Sequence, residues 1–152
     1  MKKLLLLILS LSAYSIANAG FNILNTPEVI SVGRCHMGAC SWSKSISTKI
    51  ISETSKNVLL EATLLGGTSE FDPEDSRGGD QDIRWDKKPH KLIINCSYTK
   101  PSVGSGSQLT ILDFSSADGM PAVYDSDISV YFKYCHSYTD NGDAPKEFGY
   151  IN

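Results

Sequence analysis

Residues 33–44 read GRCHMGACSWSK, with Cys35 and Cys40 bracketing four residues that include His36 and Met37. Thiolate, imidazole and thioether are soft ligands of the kind that suit Cu(I). A second Cys-His dipeptide, Cys135-His136, lies far along the chain, and His90 is the third histidine. Copper held by His36, Met37 and His136, with His90 as an alternative third ligand, is therefore one candidate chemistry. The spacing excludes two others. Covalent haem attachment needs Cys-x-x-Cys-His and a thioredoxin-type switch needs Cys-x-x-Cys, and neither occurs. Histidines with a lysine are also the inventory for acid–base hydrolysis of a phosphodiester.

The second candidate is acidic. Residues 66–82, GGTSEFDPEDSRGGDQD, hold six acids and one arginine. Asp72, Glu74, Asp75, Asp80 and Asp82 are hard oxygen donors of the kind calcium takes. The EF-hand pattern fails, because Arg77 stands at the glycine position and Ile83 at the glutamate position. The same run also reads as a solvated loop, or as an acidic surface for a partner. The third candidate is SVGSG at 102–106. A serine-hydrolase elbow would need Gly-x-Ser-x-Gly between a strand and a helix. Here a glycine occupies the nucleophile position, so Ser102, Gly104 and Ser105 read as a flexible loop able to enter a partner's cleft. No motif demands an organic cofactor.

Which of these chemistries is open depends on compartment. The chain starts MKKLLLLILSLSAYSIANAG. Lys2 and Lys3 followed by an apolar run and Ala17-Asn18-Ala19 have the layout of a secretory signal peptide cleaved after Ala19. The apolar run is shorter than the roughly 20 residues a membrane span requires, and no cysteine follows the cleavage point to take a lipid. The expectation is a periplasmic or secreted chain without a membrane anchor: a signal peptide at 1–19 and one domain at 20–152. Export would leave 133 of the 152 residues, with 12 basic residues against 17 acidic ones, and shift the net charge from −3 to −5. An acidic chain is a poor phosphate-backbone binder, so nucleic acid is not expected as a partner and a basic protein is.

In an oxidising compartment four cysteines read first as disulfides. Of the three possible pairings, Cys35–Cys40 with Cys96–Cys135 is favoured: the first by local spacing, the second by placement at matching ends of two expected strands. The longer loop would be worth on the order of 3–4 kcal/mol. Were Cys35 joined to Cys135 instead, His36 and His136 would meet, and the metal and acid–base readings would gain.

The elements that must position these residues read as strands. From Trp42, period-two alternation puts Trp42, Lys44, Ile46, Thr48 and Ile50 on one face. Residues 55–57 suggest a turn and 58–65 a return strand ending at Gly66-Gly67. Strands follow at 83–85, 92–98, 109–114 and 128–136, the last alternating Ile128, Val130, Phe132 and Tyr134. DKKPHK at 86–91 reads as a tight turn and 99–108 as a Pro/Gly/Ser loop. The tail 137–152 reads as mobile, with Phe148, Tyr150 and Ile151 available to dock it. Trp42 and Trp85 read as core or sheet-surface aromatics. The fold expected is an all-β single domain, an antiparallel sandwich or small barrel held by two disulfides. Size, export signal and disulfide usage are similar in type to small exported β proteins that inhibit lysozymes or protect against wall-cutting toxins. The function expected is a non-enzymatic binding module holding a protein, such as a basic cell-wall hydrolase. Periplasmic metal binding and a small histidine-dependent hydrolase are the alternatives.

Overall fold

Alternating apolar residues at 58–64 and 92–96 build the two central strands of an antiparallel sheet. The computed structural model describes residues 20–31, 38–70, 82–115, 122–138 and 143–151. The strands are β1 (Glu28–Ser31), β2 (Ala39–Glu53), β3 (Asn57–Glu70), β4 (Arg84–Trp85), β5 (His90–Ser97), β6 (Ser102–Ser105) and β7 (Gln108–Ile111). They form one seven-stranded sheet in the order β1-β2-β3-β5-β6-β7, with β4 also on β3. The expected antiparallel β architecture is present. The sheet is open, and its second layer is a helix.

That helix, α1, spans Ala122–His136 and replaces the strand expected at 128–136. The alternation of Ile128, Val130, Phe132 and Tyr134 was a false period. Every residue from 130 to 136 is buried, and a helix enclosed all round leaves no stripe to read. The helix face of the sheet supplies Val58, Leu60, Ala62 and Leu64 from β3, Ile94 and Cys96 from β5 and Val103 from β6. Tyr131, Phe132, Tyr134 and Cys135 pack onto it from α1. Cys96 and Cys135 are joined, with Cα atoms 5.5 Å apart. The bond therefore pins α1 to a central strand rather than one strand to another. Cys40 is also disulfide-bonded, and Cys35 lies outside the described residues.

The C-terminal end of α1 exposes carbonyls that need donors. Asn22 N–H donates to the Cys135 carbonyl at 2.9 Å and Leu24 N–H to that of Tyr134 at 3.0 Å. Ser137, at φ 51°, then turns the chain away in the left-handed conformation that commonly ends helices. Phe21 and Leu24 bury their side chains in the same step. Lys133, buried, reaches Glu28 Oε1 at 2.6 Å and ties α1 to β1.

Three other expectations change. Register shifts at Ser45/Ser47 and Ile50/Ser52 break the period of β2. Ser43, Ser45 and Thr48 oppose Gly66, Leu64 and Ala62 on the helix side, while Ile46, Ile50 and Ile51 remain exposed. Gly66-Gly67 does not end β3. A β-carbon on Gly67 would stand 2.7 Å from Trp85 Cε3 and 2.8 Å from Ile83 Cγ2, so glycine there makes room for β4. Finally, DKKP is no hairpin. β4 and β5 both run antiparallel to β3 on its same side, so residues 86–89 bulge out of a strand that resumes in the same direction. Asp86 N–H anchors the bulge to the Gly66 carbonyl at 2.8 Å.

Candidate functional site

The two faces of the sheet offer different chemistry. On the helix side, His136 is 6% exposed. Its ring stacks on Phe148, centroids 4.1 Å apart, and Phe21, Tyr98 and Phe132 ring it. His136 Nε2 lies 2.9 Å from Tyr150 Oη, and Tyr150 Oη lies 2.8 Å from Tyr131 Oη. Tyr131 donates to the Ser97 carbonyl at 3.1 Å and accepts from Ser97 N–H at 3.0 Å. One proton assignment satisfies all four contacts: His136 Nε2–H donates to Tyr150, Tyr150 to Tyr131, and Tyr131 to Ser97. Burial pushes the His136 ring down to about 4, so it is neutral near pH 7. Burial also lifts Tyr131 to about 12, against the pull of its bonds to Tyr150 and Ser97. Tyr150 is raised as well, by burial and then by Tyr131. This chain of groups fastens the C-terminal segment, with the short α2 (Ala144–Glu147), to the end of α1. A substrate has no approach to an imidazole so enclosed.

The other side of the sheet carries no helix among the described residues. Residues directly opposite in an antiparallel pair share a face. The register therefore aligns Trp42, Gly67 and Trp85 across three strands, with Lys44 and Leu65 next to them. Trp42 Nε1 donates to Ser69 Oγ at 2.8 Å, and the Lys44 ammonium stands 6.0 Å from the Trp85 ring, at the limit of a cation–π contact. Further along, Glu61, Ile93, Gly104 and Leu109 form a second row, and Leu59, Asn95, Ser102 and Ile111 a third. Leu59, Leu65, Ile93 and both tryptophans are half-buried, while Leu109 and Ile111 are exposed. Lys91 crosses to Glu61 at 2.8 Å. The result is two apolar groups on this face, Trp42, Leu65 and Trp85 at one end and Leu59, Ile93, Leu109 and Ile111 at the other, with Glu61, Lys49 and Lys91 between them.

The residues expected from sequence are dispersed. His136 is in the sealed cluster and His90 is exposed at the start of β5. His36 and Met37 lie outside the described residues, as do Asp72, Glu74, Asp75 and Asp80. Asp82 is exposed, with φ at 62°. Among the described residues no group of three or more His, Cys, Asp or Glu is placed to hold a metal. Since Cys135 bonds Cys96, the Cys35–Cys135 link that would have joined His36 to His136 does not form. Ser102, Gly104 and Ser105 are not a loop but strand β6. Ser102 is buried, its hydroxyl donating to the Lys100 carbonyl at 3.2 Å. A β-carbon on Gly104 would sit 1.9 Å from the Gln108 carbonyl oxygen, so the glycine serves a close approach within the hairpin.

Sequence reasoning missed the outer-face set, Leu59, Ile93, Leu109 and Ile111. The available signal was the second apolar residue type in each strand, Leu59 beside Leu60 and Ile93 beside Ile94. Nothing in the sequence pointed to the Tyr131–Tyr150–His136 chain. No helix of the described residues is long and apolar enough to cross a membrane. No family model, no curated protein and no solved structure matches the chain.

Proposed function

We propose that this chain is an exported binding module that holds a protein partner without catalysing a reaction, and that the partner is a basic cell-wall hydrolase. One observation carries the reading: one face of the sheet is sealed by α1 and the tail, while on the other, which no helix of the described residues covers, Trp42, Trp85, Leu65, Leu59 and Ile93 are only half-buried. Tryptophans with apolar neighbours are the usual energetic centre of a protein interface. The acidic run supports the charge of the partner, because in sequence it joins β3, which carries Gly67, to β4, which carries Trp85. The Cys96–Cys135 bond suits an oxidising compartment, and a periplasmic or secreted location belongs to the proposal.

The test is binding and inhibition of a panel of wall hydrolases by the purified mature protein at low salt. Binding should weaken as salt rises. Trp85→Ala should weaken it by raising the off-rate, and neutralising Asp72, Glu74 and Asp75 together should slow association. Absence of binding to every hydrolase at low salt would make the reading wrong. An unchanged on-rate in the neutralised variant would remove the acidic run from it.

A further inference from the structure

The path of the sheet ends at β7, which pairs with β6 and, among the described residues, with nothing on its other side. Natural edges are guarded by lysine, proline, bulges or charge. β7 reads Gln-Leu-Thr-Ile and pairs with β6 without a register shift. The stretch 101–112, PSVGSGSQLTIL, has no charged residue in a chain of which 20% is charged. The opposite edge strand, β1, differs: it carries Glu28, held by Lys133.

The backbone pattern of this edge can be read. Leu112 N–H donates to the Pro101 carbonyl at 2.8 Å, so residue 112 faces β6. Antiparallel ladders alternate, so Thr110 also faces β6, and Leu109 and Ile111 turn their N–H and C=O groups to the open side. Their side chains share the outer face and are 42% and 62% exposed.

We propose that β7 pairs with β7 of a second copy of this chain. The open donors and acceptors are symmetric about Thr110. In the antiparallel register centred there, Leu109 of one copy exchanges two hydrogen bonds with Ile111 of the other, and the reverse pair does the same. A two-fold axis passes through the Thr110–Thr110 pair, as an isologous dimer requires. Leu109 and Ile111 of both copies then meet as four apolar side chains on one face. Charge favours a second copy over the basic partner proposed above. An acidic chain repels itself wherever acids meet, and this neutral segment avoids that repulsion, while offering a cationic protein nothing to bind. The inference is independent of the partner reading.

Sedimentation equilibrium of the mature protein over increasing concentration should show a monomer–dimer equilibrium. Ile111→Pro removes a donor that serves only the second copy and leaves the β6 ladder whole; it should give a monomer with an unchanged circular dichroism spectrum. Ile111→Lys, which leaves the backbone intact, should do the same through like charges at the seam. Thr110→Cys should oxidise to a covalent dimer, because non-hydrogen-bonded partners lie about 4.5 Å apart between Cα atoms. A monomer at every concentration, a dimer that survives both Ile111 variants, or no cross-link through Thr110→Cys would overturn the proposal. So would a monomer in which Ile111→Pro abolishes hydrolase binding, since the edge would then belong to that partner.

Discussion

The two sides of the β3–β5 strand pair carry similar residue types and have different fates. On one side Val58, Leu60, Ile94 and Cys96 are sealed beneath α1; on the other Leu59 and Ile93, their immediate neighbours, stay half-exposed. The first set is committed to stability, by the disulfide, by the aromatic packing around His136 and by the Tyr131–Tyr150 link. The second is only half-buried, and under the proposed function it is the surface that recognises a partner. Substitutions should therefore separate cleanly into those that unfold and those that only unbind.

The largest effect expected is on the sealed side. Replacing Cys96 and Cys135 together by alanine should lower the unfolding free energy by about 4 kcal/mol, read by urea denaturation. Next comes pH. The His136 ring is held at about 4 when folded against about 6.5 when free. Between those values the unfolded chain binds a proton that the folded one refuses. The stability this ring contributes is complete above about pH 6.5 and is lost as pH falls towards 4, by up to about 3 kcal/mol. Comparing denaturation at the two ends of that window in the wild type and in His136→Phe should show the extra pH dependence only in the wild type. If the two curves run parallel, His136 is not the titrating group.

Smaller again is Tyr150→Phe, which keeps the ring and leaves the His136 Nε2–H without an acceptor. A loss of about 1–3 kcal/mol is expected, along with faster hydrogen exchange near Tyr138. The smallest stability effect is assigned to the outer face. Ile111→Ser should change the unfolding free energy by less than about 0.5 kcal/mol while removing self-association. A large destabilisation there would erase the contrast between the two faces.

How far the sequence revealed this arrangement varies by element. β5 was readable because Leu92, Ile94 and Cys96 alternate against a single buried face. The β2–β3 hairpin was readable from its turn, where Thr54 Oγ1 accepts from Asn57 N–H at 3.1 Å. α1 was not, because β-branched and aromatic residues buried on every side erase the helical period. The continuation of β3 through Gly66-Gly67 was hidden for another reason: glycines usually mark the end of a strand, and here they clear space for Trp85 and Asp86, which arrive from about 18–20 residues later. Of the candidate site, the tryptophans were visible as residues but not as a pair, since only the register brings Trp42 and Trp85 to either side of Gly67. The Cys96–Cys135 pairing was anticipated, although for the wrong partner element.

The burial of that bond has a consequence for its chemistry. Cys96 and Cys135 have no exposed surface, and thiol–disulfide exchange requires a thiolate to reach a sulfur atom. An oxidant must therefore act before α1 settles on β5, and a reductant only after it lifts away. The folded protein should survive reducing agent alone, and yield to it quickly once denaturant is added. Closing the sheet with the helix makes the oxidation a record of where the chain folded, one that later changes in redox surroundings do not erase while the fold persists.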